Sequence, residues 1–510
     1  MTILAVILFC LATVALAVYG VHLYVLLWLV HRRGDQRGRI QRQTIEAFVA
    51  STPDEDWPIV TTQIPLYNEM NVAERVIEAV AAMDYPPGRH EVQVLDDSTD
   101  GTGRVVDRVA ERLRSRGLDV QVVRRTDREG FKAGALAAGL AQARGELVAI
   151  FDSDFVPPPD FLRQAVPLLV CDEGIACVQG RWAHLNPRET WLTRAQALGI
   201  DGHFGVEQGA RCWNGLLMNF NGTAGIWRRK AIEDPAVGGW TGDTITEDLD
   251  LSYRAQLAGW RFDYCKEIAC PAEIPGDIHA FKTQQRRWAT GSMQVARKLL
   301  PRVWRSDLSL VQKIEATFHL THYSVALWML LLLLTAQPML SIWLEHPRMS
   351  QWFWIAWVWI LGSTFAPSVL YTYARYSLGG GWSGLKVMPL LMTLGMGICA
   401  NNALAMLRGL FVSGGEFVRT PKSGSTSHQR GHTAYAATQS HLWIVELSLG
   451  FYALTSSAYY FAADQWASCN FLLIYAIGFF AVGLASRPRR PAARDGQAIR
   501  QEPLVDVSPA

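Results

Sequence analysis

The chain is poor in the features that mark several common protein classes. Its 510 residues carry 48 Lys and Arg against 46 Asp and Glu, a formal net charge of +2. That leaves no surplus of positive charge to hold a phosphate backbone, which argues against nucleic acid as a partner. Eight cysteines are present but none forms a Cys-x-x-Cys pair, so zinc-ribbon and redox spacings are missing. They read as small apolar residues kept reduced in a cytosolic compartment. There is no internal repeat, and low complexity is confined to the Arg/Pro-rich segment 487–510, which reads as a disordered cytosolic tail. Ile3–Val30 lacks the basic n-region of a secretory signal peptide and its apolar stretch is too long for one, so it reads as a retained anchor with its N-terminus outside.

What the chain has in excess is apolar sequence. Hydrophobic residues make up 50% and the mean hydropathy is +0.08, high for a soluble protein. The excess is segregated. Ile3–Val30, Leu320–Leu340, Trp352–Tyr373 and the runs near 443–462 and 470–486 each approach the ~20 residues that cross a bilayer as a helix, whereas 31–313 is mixed and punctuated. Basic clusters begin at His31 and Arg487, each directly after an apolar run, as the positive-inside pattern requires. Segment 387–410 is also apolar, but if it crossed, an odd number of spans would put the two basic segments on opposite sides. It also carries Gly395, Gly397, Asn401, Asn402 and Arg408, which a lipid-facing helix avoids. It is expected to be an interfacial or bundle-buried helix, leaving five spans, a multi-pass protein of a cell membrane (a bacterial inner membrane) and a cytosolic C-terminus.

Between Ile59 and Gln179 short apolar runs alternate with helical patterns. Ile59–Ile64, Val92–Leu95, Val120–Val123, Leu147–Phe151 and Ile175–Val178 read as strands, with Ala73–Met83, Phe131–Ala143 and Phe161–Leu169 as helices between them. Near-continuous apolar strands separated by helices predict an α/β domain, its sheet mainly parallel and covered on both faces. Ligands bind such sheets at the carboxyl ends of the strands, where Asp96-Asp97 and Asp152-Ser-Asp154 fall.

Asp152 and Asp154, one residue apart at a strand end, are expected to share a face and to hold Mg²⁺ or Mn²⁺ against a diphosphate; a solvated turn is the plain alternative. Asp96 and Asp97 suit a nucleoside or a helix cap. Lys132 begins a helix whose N-terminal amides favour an anion. Thr246-Glu247-Asp248 looks like a helix start capped by Thr246, and Asp248 is the candidate general base. In Gln284-Gln-Arg-Arg287-Trp288, on an amphipathic segment near 279–300, Arg287 suits a departing diphosphate and Trp288 the apolar face of a sugar.

Gln-Ile-Pro-Leu-Tyr-Asn-Glu (63–69), Gln-Val-Leu-Asp-Asp-Ser-Thr-Asp (93–100), Lys-Ala-Gly-Ala-Leu (132–136), Phe-Asn-Gly-Thr-Ala-Gly (220–225), Thr-Glu-Asp (246–248) and Gln-Gln-x-Arg-Trp (284–288) form an ordered set. Over about residues 57–300 it resembles the processive family 2 glycosyltransferases: cellulose synthase and, more closely, the plant cellulose-synthase-like mannan and glucomannan synthases. The resemblance implies a cytosolic GT-A-type domain in 31–313, between an anchor in 1–30 and membrane helices in 314–486. It implies Glu69, Asp96, Asp97, Lys132 and Asp152 at the donor, Asp97 near the nucleobase, and Asp154 with Asp152 on the metal. Asp248, with Glu247, would be catalytic, and Gln284, Arg287 and Trp288 would serve the acceptor end. Phe417-Val-Arg-Thr420-Pro-Lys422 is similar, more loosely, to the family's gating loop, within 411–425. The expected activity is an inverting transfer from UDP-glucose or GDP-mannose that elongates and translocates a β-linked glucan, mannan or glucomannan. The alternatives are transfer of one sugar to a lipid, or a non-catalytic membrane scaffold or transporter, against which the intact Asp-x-Asp and Asp248 argue. The expected partners are a nucleotide sugar, a growing glycan or lipid acceptor and the bilayer.

Overall fold

The computed structural model describes residues 2–346, 350–415, 424 and 440–488. Among these, seven strands form one sheet in the order β3-β2-β1-β4-β6-β5-β7. They are β1 (Val60–Leu66), β2 (His90–Asp96), β3 (Val120–Val123), β4 (Leu147–Ile150), β5 (Ile175–His184), β6 (Gly225–Arg228) and β7 (Arg261–Ala272). All neighbours run parallel except β6, which is antiparallel to both β4 and β5. Helices α2 (Ala73–Ala81), α3 (Thr102–Arg114), α4 (Phe131–Gln142) and α5 (Phe161–Val170) connect the first five strands. Apolar side chains of β2 and β4 fall into separate buried clusters on the two faces, for example Val94 and Ala149 on one and Leu95 and Ile150 on the other. Strands sandwiched in this way lose the apolar-polar alternation of a half-exposed sheet. The pattern that foretold the first five strands did not foretell β6, four residues long, or β7, whose Arg261, Lys266, Glu267 and Pro271 interrupt any apolar run.

Helix α1 (Thr2–Ser51) does not end with its apolar run at Val30. Its polar half is part of the catalytic domain: Gln41 donates to Asp263 and Tyr264 of β7, Arg37 pairs with Asp263, and Ile45 and Phe48 rest on the sheet core. After β5 come α6 (Trp191–Gly202), a π-helical turn at His203–Glu207 and α7 (Gln208–Cys212). One helical turn, α8 (Arg229–Ile232), follows β6, and α9 (Glu247–Leu257) precedes β7. The amphipathic segment expected near 279–300 is α10 (Ile278–Arg305), capped by Asp277 through the backbone N–H groups of His279 and Ala280.

The remaining helices are α11 (Leu310–Thr321), α12 (Ser324–Leu334), α13 (Ala336–Glu345), α14 (Ser350–Arg375), α15 (Ser383–Phe411), α16 (Leu442–Ala462) and α17 (Trp466–Ala485). Among the described residues three helices are long and apolar enough to cross a membrane: α1, α15 and α17. The pair α11 and α12, bent by 65°, makes a fourth if counted as one. The expected run 320–340 is therefore broken at His322-Tyr323 and again at Thr335. Helix α16 coincides with the run near 443–462, but Glu446, Ser448, Thr455, Ser456 and Ser457 dilute its apolar character.

Helices α15 and α17 cross where two glycines meet. A Cβ added to Gly397 would lie 2.2 Å from the Gly478 carbonyl oxygen, and one on Gly478 would lie 2.5 Å from that of Thr393. Small residues let helix backbones approach in this way. Gly397→Val is expected to cost ~1–3 kcal/mol by overpacking, seen as a lower thermal midpoint of the purified protein in detergent; an unchanged midpoint would show that the crossing tolerates the extra carbons.

Candidate active site

A cleft with about 1220 Å³ of open space lies along the carboxyl ends of the strands. The loop after β1 contributes Tyr67 and Glu69, that after β2 Asp97, the start of α4 Lys132, and the turn after β4 Asp152 and Asp154. The start of α9 brings Glu247 and Asp248, and α10 closes the far wall with Gln284, Arg287 and Trp288. Ten expected site residues thus share one cavity. Asp96 does not line it: buried, its carboxylate accepts from Arg124 Nε at 2.9 Å and from the Ser98 N–H. Phe417, Thr420 and Lys422 lie outside the described residues.

The acidic wall is organised by Lys132. Its ammonium lies 2.5 Å from Asp152 Oδ1 and 3.9 Å from Glu247 Oε1, and donates to the Gly222 carbonyl at 2.8 Å. Burial pulls this ammonium down, but the carboxylates of Asp152, Glu247 and Asp248 outweigh it and hold the pKa above the ordinary value. Gly222 has φ +79°, and a Cβ there would stand 2.9 Å from Asp248 Oδ2; the left-handed backbone and the close approach both demand glycine.

Burial, then the neighbouring Glu247, raises the Asp248 carboxyl from 3.8 to about 7, against the pull of Lys132. Burial raises Glu247 as well. The N-terminus of α9 favours an anion by about 0.3–1 kcal/mol, less than the ~1.4 kcal/mol that a tenfold change in acidity requires. The helix start therefore positions Asp248 without making it a strong acid, and a carboxylate that changes charge near neutrality suits a general base. The expected cap is not made. Thr246 occupies the N-cap position with no side-chain hydrogen bond to the helix, and its buried Oγ1 has no partner among the described residues. Thr246 is instead packed under α10, where a Cβ on Gly291 would meet its side chain at 2.4 Å.

The Asp-x-Asp pair also differs from the simple expectation. Strand β4 ends at Ile150, so period-two alternation does not reach the pair. A turn closed by the Phe155 N–H on the Asp152 carbonyl carries both residues, pinned to the end of β7 by the Glu273 N–H on the Asp154 carbonyl. The donor set fits a hard divalent cation: oxygen ligands only, held in a cleft, with room for phosphate oxygens to complete the shell. Among the described residues no group of three or more His, Cys, Asp or Glu side chains is arranged for a metal.

Sequence reasoning missed several residues of the cleft and its support. Arg125 grips both oxygens of Asp97, at 3.1 and 2.5 Å. Its signal was present: Arg124-Arg125 follows β3 as Asp96-Asp97 follows the neighbouring parallel β2, with Leu95 beside Val123. Arg128 stacks its guanidinium 3.3 Å over Tyr67. Trp182 of β5 lies 6.4 Å from Trp288, ring centre to ring centre. Glu273 accepts from Arg75 and from the N–H of Gly424, which is buried here two residues beyond Lys422.

Fold and site are those of a glycosyltransferase of GT-A fold, joined to helices long and apolar enough to cross a membrane. A family model described as "Glycosyltransferase like family 2" matches residues 58–291. Glucomannan 4-beta-mannosyltransferase 2 of Arabidopsis thaliana is 32% identical over 445 residues, 84% of this chain and 81% of that one. Glucomannan 4-beta-mannosyltransferase 1 of Oryza sativa subsp. japonica is 38% identical over 303 residues, 57% of this chain and 56% of its own. A solved mannosyltransferase from Pyrobaculum calidifontis, in complex with GDP-Man and Mn²⁺, aligns at a TM-score of 0.46 and 21% identity over 71% of this chain and 98% of its own. The chain belongs to glycosyltransferase family 2, in the cellulose-synthase-like group of the glucomannan mannosyltransferases, and is a hexosyltransferase of polysaccharide synthesis.

If Asp248 is the base, kcat/KM should fall as pH drops below about 7, because the raised carboxyl is then protonated and cannot accept a proton. Lys132→Met should push that limb to higher pH by removing the cation that favours the carboxylate. Asp248→Asn should lower turnover by ~10²–10⁴ with donor binding nearly intact. Near-wild-type turnover of this variant would assign the proton to another group.

Proposed function

We propose that the protein elongates a β-linked mannan or glucomannan from GDP-mannose, with UDP-glucose as the second donor, and passes the product into the membrane region. The observation that carries this reading is the placement of the Asp152/Asp154 turn, Asp248 and the Gln284–Arg287–Trp288 face in one cleft, with similarity to glucomannan mannosyltransferases over most of the chain. Asp248 takes the proton from the acceptor hydroxyl as its oxygen attacks the anomeric carbon. The bond to the diphosphate breaks on the opposite side, so an α-linked donor gives a β-linked product. Arg287 offers its planar fork to the leaving diphosphate, and Trp288, with Trp182 beyond it, offers an aromatic floor to the acceptor sugar. Asp152 and Asp154 would hold Mg²⁺ or Mn²⁺, whose charge would neutralise the diphosphate. Lys132 keeps Asp152 in place and favours the ionised form of Asp248. The gating role expected of Phe417, Thr420 and Lys422 falls on residues outside those described; Gly424, two residues beyond Lys422, donates its N–H to Glu273 in the cleft.

Helix α15 is read as interfacial and not spanning. Leu391 nears Gly199 of α6, and Leu394 and Ile398 pack with Leu192 and Ala195. Asn401 donates to the Lys282 carbonyl, Thr290 to that of Ala405, Gln294 to those of Val412 and Gly414, and the Gly414 N–H reaches Asp243. A span would carry one end of this stretch a bilayer's thickness, about 30 Å, from the catalytic domain, yet both ends touch it.

Purified protein given GDP-mannose or UDP-glucose should release nucleotide and form a polymer cut by a β-mannanase or a β-glucanase; a single-sugar glycolipid would favour the other acceptor class. Activity should vanish in excess chelator, and full activity there would remove the metal assignment. Ser413→Cys in a cysteine-free background should react with impermeant thiol reagents from the cytosolic face; labelling from outside would make α15 a span.

A further inference from the structure

Helix α10 faces two ways. Gln284, Arg287 and Trp288 line the cleft, while Lys282, two positions before Gln284, turns into the membrane helices. There its Nζ lies 2.6 Å from Glu446 Oε1 of α16, with side-chain exposures of 3% and 0%, and donates to Ser486 at the end of α17 at 3.2 Å. Among the described residues Glu446 Oε2, which is buried, has no hydrogen-bond partner. The contact is continued along α15: Asn401 donates to the Lys282 carbonyl and accepts from Arg286.

A buried ion pair is a poor way to gain stability. Desolvating both charges costs about as much as their attraction returns, and apolar residues of the same volume often stabilise more. What such a pair supplies is position, because its short, directional contact tolerates one rotation and one register where apolar packing tolerates several. At 1.5 Å rise per residue, Lys282 sits about 3–9 Å along the helix from Gln284, Arg287 and Trp288, too close for α10 to absorb a shift between them.

We infer that Lys282 and Glu446 are a positioning pair, which fixes α10 against α16 and α17 so that Arg287 and Trp288 hold the acceptor sugar at the height of Asp248. The inference rests on the glycosyl-transfer reading and adds to it a residue in a membrane helix that acts on the partition between transfer and hydrolysis. Neither side chain touches substrate. When α10 is displaced, the donor still binds between Asp97 and the Asp-x-Asp turn, but the acceptor hydroxyl is no longer in line and water competes for the anomeric carbon.

The test compares nucleotide diphosphate released with sugar incorporated, for GDP-mannose and UDP-glucose, in the full chain reconstituted in liposomes. In K282M/E446L, donor KM and nucleotide Kd should stay within about twofold while transfer falls about 10- to 100-fold relative to hydrolysis, the scale of an ångström's misplacement. The exchange K282E/E446K should move the ratio back toward wild type. Partial unfolding lowers release and incorporation together, so the ratio reads only folded molecules. Should the double variant fail to accumulate, E446Q, which keeps the shape and one acceptor, carries the same expectation. An unchanged ratio overturns the proposal and leaves the pair as packing. Failure of the wild type to release nucleotide from either donor would instead remove the catalytic reading beneath it.

Discussion

The site depends on one ammonium group set among acids. Asp152, Glu247 and Asp248 come from the turn after β4 and the start of α9, and would repel one another at such close quarters. Lys132 lies 2.5 Å from the first and 3.9 Å from the second, and its third contact, the Gly222 carbonyl, fixes the loop on which Asp248 leans. Without a cation there, burial would drive Glu247 and Asp248 further toward their neutral forms, and a neutral Asp248 accepts no proton. The lysine in turn needs α4 to begin where it does. Gly130 and Phe131 adopt left-handed backbone, at φ 68° and 50°, and a Cβ on Gly134 would stand 1.9 Å from the Glu129 carbonyl oxygen. Arg125 ties this entry to the end of β2 by joining Asp97 to the carbonyls of Glu129 and Phe131. The placement of Asp97 and the charge state of Asp248 are therefore built on a single loop.

How much of this was legible depended on whether the signal was local. Strands β1 to β5 could be read because both faces of the sheet are covered, which makes them short apolar runs. Seven of the ten cleft residues could be read because each follows a strand or opens a helix, positions that topology alone sends to one edge of the sheet; Gln284, Arg287 and Trp288 lie inside α10 and were legible only as a motif. What escaped was set by contacts distant in sequence. Asp96 and Asp97 are adjacent and chemically alike, yet one faces Arg124 and the core while the other faces Arg125 and the cleft; β-strand alternation separates them only once the strand's end is known. Thr246 has the composition of a cap but is claimed by Gly291 of α10, so tertiary packing overrides a local preference. Strand β7 binds the polar half of α1 through Asp263, and no pattern in either segment announces a partner more than 200 residues away.

Helix α10 belongs both to the cleft and to the contacts with α15, α16 and α17. It is the wall of the cleft on one side and the seat of the membrane helices on the other, and its buried polar contacts are spread over Lys282, Arg286, Thr290 and Gln294, about one per turn. That spacing is a helical stripe, so the face opposite Trp288 is polar for a structural reason. A soluble transferase could bury an apolar stripe there; this chain uses hydrogen bonds and an ion pair, which specify register more sharply than they stabilise. On the reading proposed above, a polymeric product leaving through the membrane region would need the acceptor site and its exit path to share one frame, and fastening both to a single helix would meet that need without a rigid link through the sheet.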